Sequence, residues 1–333
     1  MCTASDPPHK PIETFVFMDL EATGLSPSQP KIAEMCLIAV NRHAFENPQY
    51  SSSSPRPAPL FPRLVDKLCI CINPDKPFTP GASSVTGLNN EAFDENKKQS
   101  FNVHIMHMIT AFFSRQYPPI CLVAHSGCTY DFPLLKAELS ALGVSVLDEI
   151  YCADTIKAMK ALDKENNQLH QFIYHPSPFG RKKNYKLHDL YFKFYKVYPL
   201  NSHSAEGDVI ALIRVFQQHA RDLMHWMDSN ATQFNSIRAM YKGNGKCASI
   251  SKTLWNLHYP SSLQVQPPRR RLATAYSFPV GDDEASLKEN IAKEECDQCR
   301  PLRNADIPDE IKNMLLCFLG LAILTWIVLR NPV

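Results

Sequence analysis

Three features of the chain predict an α/β domain in which helices cover a mixed sheet. Short apolar runs bounded by turn residues come early, at residues 15–18, 32–40 and 64–72. Strand and helix patterns then alternate from residue 101 to residue 227, the order expected of helices packed on a sheet. With 44% of its 333 residues hydrophobic, the chain can fill one core of about 200 residues and carry additional segments. The net charge of +2 excludes a strong whole-protein field, so attraction to nucleic acid must come from local patches.

Residues 1–12 read as a flexible start. No apolar run occupies 1–10, and the run from Phe15 is interrupted at Asp19, which argues against a secretory signal peptide. Cys2 stands where N-myristoylation needs glycine. Eleven scattered cysteines, an odd number, suit reduced thiols in a cytosol-facing protein. Cys296 and Cys299 form an isolated Cys-x-x-Cys in a charged stretch, which reads as linker.

Taken in order, Phe15, Val16, Phe17 and Met18 begin a buried strand that continues to the turn at Gly24. Residues 32–40 form a second strand with Glu34 as its one acid, and 64–72 alternate as a third, suggesting an antiparallel start to the sheet. Between them, residues 41–63 carry Ser51–Ser54 and then Pro55, Pro57, Pro59 and Pro62. That is an exposed loop with polyproline II tendency, either a flexible insertion or a docking site for a proline-recognising partner at 51–62. A helical turn at 80–88 ends at Gly87, and a helix follows at 101–114 with Val103, Met106 and Ile109 on one side. A strand at 120–124 leads to a helix at 131–142 with Leu134, Leu135, Leu139 and Leu142 inward. A further strand at 149–153, a helix at 155–162 and one long helix at 204–227 complete the pattern.

The chemistry starts at the end of the first strand. Residues two apart share a strand face, so Asp19 and Glu21 point one way while Leu20 points into the core. Paired carboxylates repel unless a cation sits between them, although alone they equally describe a solvated strand end. Asp131 opens the 131–142 helix just past a buried strand, where it can face Asp19 and Glu21 or serve as an ordinary first-turn acid. His203 and Asp208 lie five residues apart at the mouth of the long helix. A histidine there is suited to taking a proton near neutral pH. Four acids at strand and helix ends with one mobile histidine make a two-metal hydrolysis site.

Asp19-x-Glu21-x-Thr23-Gly24, the segment from His125 to Leu135, and His203 followed at five residues by Asp208 resemble, in that order, the motifs of the DEDDh 3′ to 5′ exonucleases. The likeness is greatest to the three-prime repair exonucleases, over residues 14–240. It implies an RNase H-like fold for residues 13–241 and hydrolysis of DNA from its 3′ end to deoxynucleoside monophosphates. It also implies two Mg²⁺ or Mn²⁺ ions on Asp19, Glu21, Asp131 and Asp208, with His203 as general base. Ala22, Leu25, Val85 and Tyr130 match positions that clasp the terminal nucleotides, by contacts that tolerate any base. The substrates implied are single-stranded DNA and the 3′ ends of duplex DNA, and the resemblance further implies a homodimer formed through sheet edges. Ser126 stands where the family usually has asparagine, and Thr129 where a basic residue is usual, which weakens the expected contact with duplex. An RNA 3′ exonuclease with the same site, and an idle scaffold built on a retired nuclease fold, are the alternatives; the intact acids and histidine speak against the second.

Residues 164–184 read as an insertion ending in a basic loop. There Arg181, Lys182 and Lys183 beside Tyr185 either hold substrate phosphates or form a solvated loop. Residues 242–310, with Pro267-Pro268-Arg269-Arg270-Arg271, lack periodicity and read as a disordered tether. Residues 314–329 are sixteen without a charge, between Lys312 and Arg330. Though short for a spanning helix, the segment fits a thin bilayer with snorkelling cations at its ends. The expectation is a tail anchor at 311–330 in the endoplasmic reticulum membrane, with the nuclear envelope or nucleus as other locations. Because only four residues follow 314–329, the catalytic domain is expected to face the cytosol.

Overall fold

The sheet grows outward from β1 (Thr14–Ala22), whose period of two sends its side chains into two separate apolar layers. In this computed structural model residues 8, 10–50, 58–165 and 185–242 are described. The chain divides into two units, Met1–Gln264 and Val265–Val333, and every described residue lies in the first. β2 (Ile32–Asn41) runs antiparallel to β1, and β3 (Val65–Cys71) antiparallel to β2. On the other side β4 (Ile120–Ala124) is parallel to β1 and β5 (Tyr151–Asp154) parallel to β4. β6 (Thr232–Gln233) closes the order β3-β2-β1-β4-β5-β6 as an antiparallel partner of β5. The mixed α/β architecture expected from the chain is therefore the one found.

Phe15 and Phe17 face α8 (Ala205–Gln217), where they meet Phe216 and, from α1 (Arg42–Glu46), Phe45, with ring centroids 4.9–6.0 Å apart. Edge-on and tilted rings of this kind pack better than flat sandwiches. Val16, Met18 and Leu20 face the other way, onto Ile105, Met106 and Ile109 of α4 (Val103–Ser114) and Phe132 and Leu135 of α5 (Asp131–Ala141). The short α2 (Pro80–Thr86) starts at Thr79, whose hydroxyl accepts from Ala82 N–H, and stops at the left-handed Gly87. α6 (Thr155–Glu165) follows β5 directly.

Several elements differ from the sequence expectation. The long helix expected at 204–227 is two, α8 and α9 (Ala220–Asn230). The N–H groups of Gln218 and His219 donate to Val215 and Phe216 oxygens, and His219 leaves the helical region at φ −138°. A straight helix over that span would run about 36 Å, past the sheet; the break turns Ala220, Leu223, Met224 and Met227 back onto the Phe216 core. The loop expected from residue 41 begins instead with α1, capped by Asn41 accepting from His43 N–H. α3 (Asn90–Glu95), α7 (Leu187–Tyr195), β6 and a 3₁₀ turn at Phe234–Ser236 were not legible, being short and dependent on tertiary neighbours.

No described helix is long and apolar enough to cross a membrane. The expected tail at 311–330, nearly all of the linker at 242–310, residues 51–57 of the Ser/Pro-rich loop and 166–184 of the insertion, with Arg181, Lys182 and Lys183, lie outside the described residues.

Candidate active site

The strand parity that puts Phe15 and Phe17 against α8 also puts Asp19 and Glu21 on that side, at the end of β1 beside the first turn of α8. One carboxylate oxygen from each of Asp19, Glu21 and Asp208 lies within 4.8 Å of the others. Ser204 caps α8, its Oγ accepting from Gly207 N–H at 3.2 Å, and Asp208 N–H donates to Ser204 O at 3.0 Å. Gly207 is required by close approach: a Cβ built there would lie 2.1 Å from the Asn201 carbonyl oxygen. That contact lets the 201–203 loop lie down on the helix. The loop turns through two left-handed residues, Asn201 at φ 53° and His203 at φ 63°, a region which asparagine and histidine enter more readily than most side chains. His203 N–H donates to Asp208 Oδ2 at 3.2 Å, so the exposed imidazole is anchored by its backbone at the edge of the acid cluster.

Asp131 stands one step back. It is buried at the start of α5, where its carboxylate accepts from Leu20 N–H and from its own N–H, and it does not join the three acids within 4.8 Å. Its charge still reaches them. Burial first, then Asp131, Asp208, Glu21 and Glu34, hold the Asp19 carboxyl well above the usual carboxylate range. Burial, with Asp208, Glu34 and Asp131, pushes Glu21 up to about 8, and burial with the nearby Asp154 pushes Asp131 up to about 7 against its two N–H donors. Carboxylates that suppress one another's ionisation, presented as an all-oxygen set, fit hard divalent cations of the Mg²⁺ or Mn²⁺ kind.

Three functional neighbours escaped the sequence. Glu34 pairs across from Glu21 in the β1–β2 register and accepts from Ala205 N–H at 3.2 Å. Its carboxyl is raised by burial. Asp154 is buried at the end of β5 and accepts from the N–H groups of Ser126, Cys128 and Ile156 at 2.9–3.2 Å. It thereby organises the loop leading to Tyr130 and Asp131. Ser126 in that loop has φ 66°, a left-handed conformation that suits asparagine better than serine. His188, in the first turn of α7, places Nε2 3.3 Å from Asp208 Oδ1. No signal within the 187–195 stretch marks it, because its partner is twenty residues on.

Asp19, Asp208, His188 and His203 line a cleft of about 890 Å³, with Lys160 on its wall. Of the residues expected to clasp nucleotides, Leu25 and Val85 are 72% and 55% exposed, as a contact surface requires, whereas Ala22 is buried. Tyr130 is half-buried and donates its hydroxyl to Gly24 O at 2.6 Å, tying the α5 entrance to the β1 turn. His125 makes ring contacts of 2.8 Å with Thr155 Oγ1 and 2.7 Å with Tyr185 O, and burial lowers its pKa.

No protein-family model matches the chain. Individual relatives do. Three-prime repair exonuclease 1 of Homo sapiens is 44% identical over 235 residues, covering 70% of this chain and 72% of that protein, and the Bos taurus protein of the same name is 43% identical over 235 residues with the same coverage. Three prime repair exonuclease 2 of Homo sapiens is 42% identical over 229 residues, 69% of this chain and 93% of that protein. The chain belongs to the three-prime repair exonuclease family. The family resemblance read from the motifs, and with it the expectation of a 3′ exonuclease, is thus borne out. Among solved structures an Exonuclease I aligns with TM-score 0.48 and 17% identity over 64% of this chain and 43% of that one. An E. coli Exonuclease I in complex with a dA16 oligonucleotide aligns with the same score and identity, over 64% and 42%.

Proposed function

We propose that this exonuclease removes deoxynucleoside monophosphates from DNA 3′ ends by metal-assisted hydrolysis, and that its role is clearance of cytosolic DNA. The observation that carries the proposal is the meeting of Asp19, Glu21 and Asp208 within 4.8 Å, with the His203 backbone tied to Asp208. Two divalent cations, held by these acids with Asp131 behind them, would supply an activated water and charge neutralisation at the leaving oxygen. His203 takes the proton of the attacking water, from a loop whose backbone bond to Asp208 keeps the imidazole at the cluster. Leu25 and Val85 offer apolar surface to the terminal bases, and the Tyr130–Gly24 bond holds the turn beneath them. The basic residues Arg181, Lys182 and Lys183 add phosphate contacts, while residues 311–330 anchor the chain in the endoplasmic reticulum membrane. A homodimer pairing through sheet edges is part of the same reading, supported by the position of β3 at one end of the sheet order.

The test is degradation of 5′-labelled single-stranded DNA and RNA by the full chain with Mg²⁺. Stepwise shortening of DNA from the 3′ end, stopped by EDTA, is expected. His203→Ala should lower kcat by about 10²–10⁴-fold, the usual contribution of a positioned proton acceptor. Preferential shortening of RNA would replace the substrate, and no shortening of either polymer by folded protein would overturn the enzyme reading.

A further inference from the structure

The residue that the exonuclease reaction leaves unexplained is His188, and from its cluster with His203 and Asp208 we infer a second, nitrogen-containing metal site that takes Zn²⁺ and blocks hydrolysis. One ligand atom from each of the three lies within 4.8 Å of the others. The His188 Nε2 to Asp208 Oδ1 separation is 3.3 Å and the two imidazoles stand 5.0 Å apart at 69°. Zn²⁺ binds histidine nitrogen and carboxylate oxygen in a tetrahedron at about 2.0–2.2 Å, which sets neighbouring ligand atoms roughly 3.3–3.6 Å apart. His188 and Asp208 already have that spacing. His203 is exposed on its loop, so its ring can turn inward to complete a three-ligand set whose fourth position opens to the cleft. Asp208 is oriented for this by the His203 N–H on its other oxygen, an outer bond of the kind that steers metal-ligating carboxylates.

The donor set separates this site from the acid cluster. Two imidazoles and one carboxylate favour Zn²⁺, whereas Mg²⁺ demands near-octahedral oxygen coordination and keeps its waters. The consequence follows from sharing, and this part rests on the exonuclease reading. Zn²⁺ on His203 occupies the nitrogen that would accept the proton, and on Asp208 Oδ1 it withdraws a carboxylate from Asp19 and Glu21. Zn²⁺ is therefore an inhibitor even where Mg²⁺ is abundant, and His188 is what confers that sensitivity.

Co²⁺ serves as the spectroscopic probe, since four-coordinate Co²⁺ absorbs visible light far more strongly than the octahedral ion. The full chain in excess Mg²⁺ is titrated with Co²⁺, then Zn²⁺, alongside His188→Ala and His188→Gln. Glutamine keeps a polar contact with Asp208 without the imidazole, and guards against a folding defect in the alanine variant. Thiolate sites on the chain's cysteines are distinguished by their near-ultraviolet charge-transfer bands. Expected are a visible band saturating at one Co²⁺ per chain, displaced by Zn²⁺ and absent from both variants, and a tenfold or greater rise in the Zn²⁺ concentration that half-inhibits DNA shortening in each variant. A band unchanged in the variants, or none in the wild type, overturns the site. Equal Zn²⁺ inhibition of wild type and variants overturns its inhibitory role. The spectra need no turnover, so failure of the exonuclease reading would appear separately, as absent Mg²⁺-dependent activity.

Discussion

Asp19 sits where a strand should end in apolar core, and the folded chain carries that cost in its ionisation. Asp19 and Glu21 are held above the carboxylate range by burial and by the charges of the surrounding acids, Asp131, Asp208 and Glu34, Glu21 rising from 4.5 to about 8. In the native state these groups therefore bind protons more tightly than in the unfolded chain, and stability depends on pH with a definite sign. Their protonated forms favour folding at the acid end. That advantage is lost as pH rises from the unfolded value of 4.5 toward the folded value of about 8. Metal-free protein should accordingly show a midpoint that falls by several degrees over this window, given that about 1 kcal/mol moves Tm by roughly 2–4 °C in domains of this size. Asp19→Asn should flatten the fall, and millimolar Mg²⁺ at pH 8 should raise the midpoint of wild type but scarcely that of the variant. Calorimetry across the pH series checks this; a midpoint that rises with pH in both proteins would contradict the electrostatic account. Much at this scale was legible in the chain. Asp19 and Glu21 two apart, and His203 with Asp208 at the mouth of a helix, announced themselves by spacing. Glu34 appeared only as an interruption in a strand, and His188 not at all, because neither has a meaning until the neighbouring strand and α7 are in place.

At the scale of elements, α8 does two things with one first turn: its cap residue Ser204 starts the helix, and Gly207 lets the 201–203 loop fold back on it. Gly207→Ala would insert a methyl 2.1 Å from the Asn201 oxygen, so backbone must move. Overpacking of this kind costs about 1–3 kcal/mol, and a displacement of about 1 Å at a catalytic group can cost on the order of 10²-fold in rate. The expected result is a folded protein with lowered Tm and a fall in kcat approaching that of His203→Ala, read by steady-state kinetics beside a melting curve. Wild-type kcat in this variant would show that the loop position does not govern His203. The break between α8 and α9 belongs to this scale as well. Val209, Leu212, Phe216, Leu223 and Met227 continue a helical pattern across it, so periodicity alone sees one element. Packing of both segments on a single core decides otherwise.

For the whole molecule, the described sheet and helices account for the site, while the sequence beyond residue 242 bears on location. Sixteen uncharged residues at 314–329 between Lys312 and Arg330 lead to the expectation that the full chain floats with phospholipid vesicles through a density gradient and that a chain ending at residue 310 remains with soluble protein. Equal flotation of the two would reject the anchor. What the sequence by itself determined was local: a continuous apolar run that makes β1 a strand buried on both faces, the parity that sets Asp19 and Glu21 on one side, the helical turn that stops at Gly87, and three motifs in order that identified the family. These are properties of residues within a few positions of each other, where strand and helix geometry alone decides which side chains share a face. What only the tertiary structure decided was convergence. Asp208 reaches Asp19 because α8 packs on Phe15 and Phe17; Asp131 stands back because α5, which it opens, packs on the other face of β1; Glu34 comes opposite Glu21 through the β-register; His188 meets Asp208 because α7 lies against α8. Such contacts join residues tens to nearly two hundred positions apart, and their distances are set by how apolar faces pack, which no local pattern encodes.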